Sequence, residues 1–137
     1  MMAMTAGVTR AGIGMDGIAW NILGQTYKPL QLSERSFAFD TLFPPGTFVP
    51  PHVHPMQDEF IRVLEGTFDL RLDGQAERAG AGDLIRLPMG QPHGIFNNSG
   101  APVRAVLGRA RAASVRAVHA AARHDGRGGG HQGLGGA

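Results

Sequence analysis

Residues 46–66, GTFVPPHVHPMQDEFIRVLEG, decide the reading of this chain. One residue separates His52 from His54. In a strand, residues i and i+2 point the same way, so both imidazoles face one side. Pro55 to Asp58 make a short detour, and Glu59 opens the next strand. Glu59, Ile61 and Val63 share a face there, so the carboxylate can look back at the two histidines. A fourth donor, His93, follows a Pro/Gly turn within residues 82–97, GDLIRLPMGQPHGIFN. Three imidazoles and a carboxylate suit iron, manganese, nickel, copper, cobalt or zinc. Such ions accept further ligands, which leaves positions for water, substrate or dioxygen. A barrel that buried these four groups without a metal would carry costly unpaired polar atoms.

Outward from this stretch the pattern stays β. Ser36 to Phe43 alternates, with Phe37, Phe39, Thr41 and Phe43 on one face. Thr67 to Leu72 sets Phe68, Leu70 and Leu72 on one side, and Asp73-Gly74 is a strong hairpin turn. Gly80-Ala81-Gly82-Asp83 turns into a strand over Leu84 to Leu87, and His93 to Asn97 forms another. Pro50 and Pro51 lack backbone donors, which suits a sheet edge or the start of the His strand. Short strands at this spacing with almost no helix signal make a sandwich or barrel. Core packing is the expected role of Phe37, Phe39, Phe43, Phe48 and Phe60. Trp20 and Tyr27 precede the barrel core, where they cap a pocket, seal a dimer or simply pack. Met56 and Met89 flank the candidate ligands, and Gln57 and Asp58 read as loop residues beside Glu59.

Gly46, His52, His54, Glu59 and Gly66 read as G-x5-H-x-H-x4-E-x6-G, and Gly82, Pro88, Gly90, His93 and Asn97 as G-x5-P-x-G-x2-H-x3-N. The two patterns resemble the first and second cupin motifs at every fixed position, with 15 residues between them. The resemblance implies an all-β fold, a double-stranded β-helix (jelly-roll-like) barrel with a metal inside. It implies His52, His54, Glu59 and His93 as ligands of one divalent ion, Fe, Mn, Ni, Cu or Zn. It also implies turn roles for the motif glycines, and a homodimer. The functional expectation is a small-molecule dioxygenase of quercetin dioxygenase-like type, in which Glu59 stays ligated or acts as a base. The alternatives are a metal-dependent isomerase or cyclase, and a non-catalytic cupin that binds a small ligand. The apolar residues around the site point to an aromatic or apolar partner molecule.

Composition narrows the rest. With 137 residues there is room for one domain, read as a barrel over 18–107 after a loosely patterned segment 1–17. There is no cysteine, so disulfides and thiolate metal sites are excluded, and the compartment leans toward the cytoplasm. No apolar run predicts a leader or a membrane span. Residues 1–103 carry a net −3 and residues 104–137 a net +5, so the patterned part is acidic and nucleic acid is not its expected partner. Asn97 is expected to bridge backbone groups near the barrel mouth.

The C-terminal part breaks the pattern. Pro102 to Leu107 starts a strand that Gly108-Arg109-Ala110-Arg111 is expected to stop. Residues 108–137 read as a tail, an Ala/Arg-rich helix over 109–124 followed by a glycine-rich disordered end. The spacing of His119, His124 and His131 there matches no metal site. The break at about Ala105 is also what a shifted reading frame would give. With suitable codons, the next frame reads Phe-Trp-Val-Ala-Pro-Ala, an apolar strand with a proline stop.

Overall fold

Short β-branched and aromatic runs, broken by Pro and Gly, give ten antiparallel strands among the described residues. The computed structural model describes residues 3–111. The expected tail beyond Arg111, with its helix, its glycine-rich end and its three histidines, lies outside the described residues. The strands are β1 (Trp20–Ile22), β2 (Gln25–Leu32), β3 (Ser36–Phe43), β4 (Phe48–His52), β5 (Gln57–Glu65), β6 (Thr67–Leu72), β7 (Gln75–Gly80), β8 (Leu84–Leu87), β9 (His93–Phe96) and β10 (Val103–Arg111). One sheet runs β1-β2-β3-β10-β5-β8 and the other β4-β9-β6-β7. Their inner faces meet as the expected double-stranded β-helix barrel. Before β1 lies a three-residue 3-10 turn, Met15–Gly17. The segment ahead of it is tied to β2 by Thr9 Oγ1 donating to the Leu30 carbonyl and Lys28 Nζ donating to the Gly12 carbonyl. No described helix is long and apolar enough to cross a membrane.

Register turns the alternation of the sequence into rows across the inner face of the larger sheet. Phe43 pairs with Val103 at one end; next come Thr41, Ala105 and Val63. Then follow Phe39, Leu107, Ile61 and Ile85, and finally Phe37, Arg109, Glu59 and Leu87. The first three rows, joined by Leu87 of the fourth and by Phe68, Leu70 and Ile95 of the other sheet, make up most of the core. Phe43 meets Phe68 of the other sheet edge-on, with ring centroids 4.9 Å apart, and both rings are fully buried. Burying such a ring is worth roughly 1.5–3 kcal/mol. The fourth row carries an arginine and a carboxylate, so the barrel is apolar at one end and charged at the other.

The final strand departs from the sequence reading. β10 does not stop at Leu107; it runs to Arg111 and lies between β3 and β5, paired with both. Gly108 fits this place because the Phe60 ring lies over it, and a side chain there would have to push that ring aside. Arg109 fits because it faces a carboxylate. Arg109 to Arg111 are therefore strand, not the start of a helix. The residues as they stand complete the sheet, and no change of frame is needed to supply the strand.

Three smaller expectations also change. Phe48 and Phe60 are about half exposed, because their places on β4 and β5 turn them away from the core. Gln57 and Asp58 belong to β5 rather than to a loop. Asn97 does bridge backbone: its Nδ2 donates to the Phe43 and Ala101 carbonyls, each at 2.8 Å. It sits past the end of β9 opposite His93, however, and so closes the apolar end of the barrel.

Candidate metal centre

Both sheets contribute to the charged end. His52 is the last residue of β4 and pairs with His93, the first of β9. Glu59 is the third residue of β5, on the facing sheet. His54 lies just past the end of β4 rather than within the strand. Its carbonyl accepts a hydrogen bond from Gly90 N at 2.9 Å, which ties it to the turn before His93. Asp58 ties the same turn to β5, its Oδ1 accepting from Met89 N at 2.9 Å. The two loops that carry the histidines are thus clasped together, and the site does not depend on strand alternation alone.

The donor atoms of His52, His54, Glu59 and His93 lie within 4.8 Å of one another, a group that could hold a metal ion. His52 Nδ1 is 2.8 Å from the Pro50 carbonyl and His93 Nδ1 is 3.3 Å from the Gln91 carbonyl. A carbonyl only accepts, so each Nδ1 donates, and in the neutral ring each Nε2 presents a lone pair inward. The inward atoms crowd each other. His52 Nε2 is 3.0 Å from His54 Nε2, and Glu59 Oε1 is 3.0 Å from His93 Nε2 and 3.7 Å from His54 Nε2. His93 Nε2 is buried, and a neutral ring that donates from Nδ1 has no proton there for the Glu59 carboxylate oxygen 3.0 Å away, so this nitrogen makes no hydrogen bond. Converging acceptors repel unless a proton or a cation sits among them. Their separations also match the edges of a coordination shell with bonds of roughly 2.0–2.2 Å. The residues therefore fit a divalent ion.

Arg109 is the residue that sequence reasoning missed. Its Nε donates to Glu59 Oε2 at 2.8 Å, and its guanidinium carbon lies 5.3 Å from the centroid of the Phe37 ring. Burial pushes the Glu59 carboxyl up, but His93, the charge and hydrogen bond of Arg109, and His54 outweigh it and hold the group below its ordinary value. Burial and then the Arg109 charge push the His54 imidazole down, which favours the neutral ligand form. The signal for Arg109 was present in the sequence. Val103, Ala105 and Leu107 alternate onto one face, and Arg109 is the next position in that series.

Aromatic side chains cluster beside the charged row. Phe37 meets Phe39 at 5.1 Å between centroids, and Phe39 meets Trp20 at 5.6 Å and Tyr27 at 6.0 Å. Tyr27 donates to Gln25 Oε1 at 2.6 Å, and Gln25 Nε2 donates to the Phe48 carbonyl. Burial and the Glu59 charge push the Tyr27 phenol up to about 12, against the lowering effect of Arg109. Met56 is exposed and Met89 half-buried, each in a turn beside the histidines.

The family profile for the cupin domain matches residues 39–107, half of the chain. Putative germin-like protein 9-2 of Oryza sativa subsp. japonica is 32% identical over 81 residues, covering 55% of this chain and 38% of that protein. The tetracenomycin polyketide synthase protein TcmJ of Streptomyces glaucescens is 32% identical over 63 residues, covering 46% of this chain and 42% of that protein. The chain spans about two fifths of the length of these curated relatives. Among solved structures, an RmlC-like cupin from Shewanella frigidimarina matches with a TM-score of 0.70 at 20% identity, over 81% of this chain and 96% of its own. That likeness is one of fold.

Proposed function

The chain belongs to the cupin domain family, and on that premise we propose that it is a metal-dependent enzyme acting on a small organic molecule. One divalent ion would be held by His52, His54, Glu59 and His93. The observation that carries this reading is the inward convergence of lone pairs, above all the buried His93 Nε2 with no hydrogen-bond partner. Such an ion supplies Lewis acidity and, when it is a redox-active first-row metal, a place where substrate and dioxygen can be brought together.

The chain's own residues prepare the site. The Pro50 and Gln91 carbonyls fix two imidazole rings in the ligand tautomer. Arg109 keeps Glu59 ionised and turns Oε1 toward the histidines. The apolar rows beneath exclude water from the inner side. An oxygenase is the first reaction we propose, because three imidazoles and one carboxylate suit redox-active ions. The likeness to a polyketide synthase protein and the aromatic cluster beside Arg109 support a conjugated organic substrate.

Metal content by inductively coupled plasma mass spectrometry, followed by oxygen uptake with conjugated substrates, tests this reading. About one iron, manganese, nickel or copper per chain together with oxygen uptake supports it. Zinc alone without uptake shifts the reaction to Lewis-acid isomerisation or cyclisation. A folded protein that takes up no metal on reconstitution overturns the proposal.

A further inference from the structure

Arg109 does more than hold Glu59. Phe37, Arg109 and Glu59 are register partners on β3, β10 and β5, side by side on the inner face. The Glu59 side chain is 2% exposed and that of Arg109 26%, so the guanidinium runs from the buried carboxylate toward solvent. An arginine offers five N–H donors in a planar fork. Here only Nε is engaged with Glu59. Among the described residues the two terminal nitrogens have no hydrogen-bond partner. The guanidinium also stacks over Phe37, which continues into Phe39 and Trp20.

Charge points the same way. An ionised Glu59 and Arg109 cancel, and neutral imidazoles add nothing. A divalent ion in this cluster would leave two positive charges uncompensated in a partly buried site, where they are poorly screened. The ligand that best completes such a site is an anion. We propose that Arg109 is a specificity-determining residue that selects a planar organic anion, a carboxylate or an enolate. One oxygen of the anion lies on the terminal guanidinium nitrogens, and its conjugated body lies along Phe37 and the adjoining rings. This inference rests on the metal reading above and names the substrate class for the same site.

Benzoate and its neutral isostere benzamide separate charge from shape. Each is titrated by calorimetry into the metal-loaded protein and into Arg109→Gln and Arg109→Lys, with metal content measured on the same samples. The wild type should bind benzoate at least about tenfold more tightly than benzamide, the factor expected of one charge-assisted contact. At a metal concentration that loads all three proteins, Arg109→Gln should lower that preference severalfold, and Arg109→Lys should keep more of it. A purely structural role for Arg109 would change metal content or stability but not the benzoate-to-benzamide ratio. An unchanged ratio in Arg109→Gln at full metal content overturns the inference. Should both variants lose their metal, the wild type decides: equal affinity for the two probes at full metal content overturns the inference and leaves the metal reading intact. A wild type without metal and without preference overturns both.

Discussion

A methyl group added at Gly66 would lie 2.8 Å from the Pro102 carbonyl oxygen and 2.9 Å from Val103 Cγ2, at a backbone φ of +90°. At Gly108 it would lie 2.5 Å from Cζ of Phe60, the far end of a ring that is 43% exposed. Backbone cannot yield, whereas the Phe60 ring can swing toward solvent. Gly66→Ala should therefore lower stability by about 2–4 kcal/mol, from left-handed strain and overpacking together. Gly108→Ala should cost less than about 1 kcal/mol. Urea midpoints measure both, and equal losses would mean that the ring is pinned. Tyr27 offers a second reading at this scale, since it is the chain's single tyrosine and its phenolate absorbance titrates alone. Its midpoint should lie near 12 rather than 10. Glu59→Gln should lower it, because the Glu59 charge is one of the causes of the rise. The sign of the linkage follows from a folded pKa above the unfolded one. The stabilisation is whole below pH 10 and is lost as pH rises through about 12.

Among the elements, β10 carries the most neighbours in register, being paired along its length with β3 and β5. Val106 separates its backbone role from its packing role, since the side chain lies on the outer face and is only half-buried. Val106→Ala should cost about 1 kcal/mol, whereas Val106→Pro removes a central ladder hydrogen bond and should cost about 3 kcal/mol or more. Circular dichroism during urea titration distinguishes the two. Similar midpoints would mean that β10 contributes little as a strand. The same strand marks where the sequence was legible and where it was not. Ser36–Phe43, Thr67–Leu72 and Leu84–Leu87 stand where alternation placed them, because each has one face against the core. His52, His54, Glu59 and His93 converge as the motif spacing predicts. β10 was only faintly legible past Leu107: the alternation from Val103 carries on to Arg109, but glycine, arginine and alanine carry poor strand propensity. The context that makes them strand, a ring over Gly108 and a carboxylate beside Arg109, comes from β5, some fifty residues earlier in the chain.

At the scale of the whole molecule, the candidate centre joins the two sheets. His52 and His93 belong to one sheet and Glu59 to the other, and the apolar rows hold the sheets together only from the inner side. Metal binding should therefore stabilise the barrel as a unit. An ion that binds only the folded form at a concentration 100 times its dissociation constant adds about 2.7 kcal/mol. For a domain of this size, that raises the thermal midpoint by roughly 10–20 °C. A chelator should reverse the rise. His93→Ala should abolish it, lowering metal affinity by orders of magnitude, on the order of 100-fold at least. In the absence of metal the variant should lose much less, because the change also removes a buried nitrogen with no hydrogen-bond partner. Acid should release the ion from the wild type, since protons compete for the same three imidazoles, and the metal-dependent part of the midpoint should fall as pH drops. Calorimetric midpoints of both proteins with metal, with chelator and across pH check each step. A wild-type midpoint indifferent to metal and to chelator would mean that the lone pairs converging on this end of the barrel are reconciled by a proton alone.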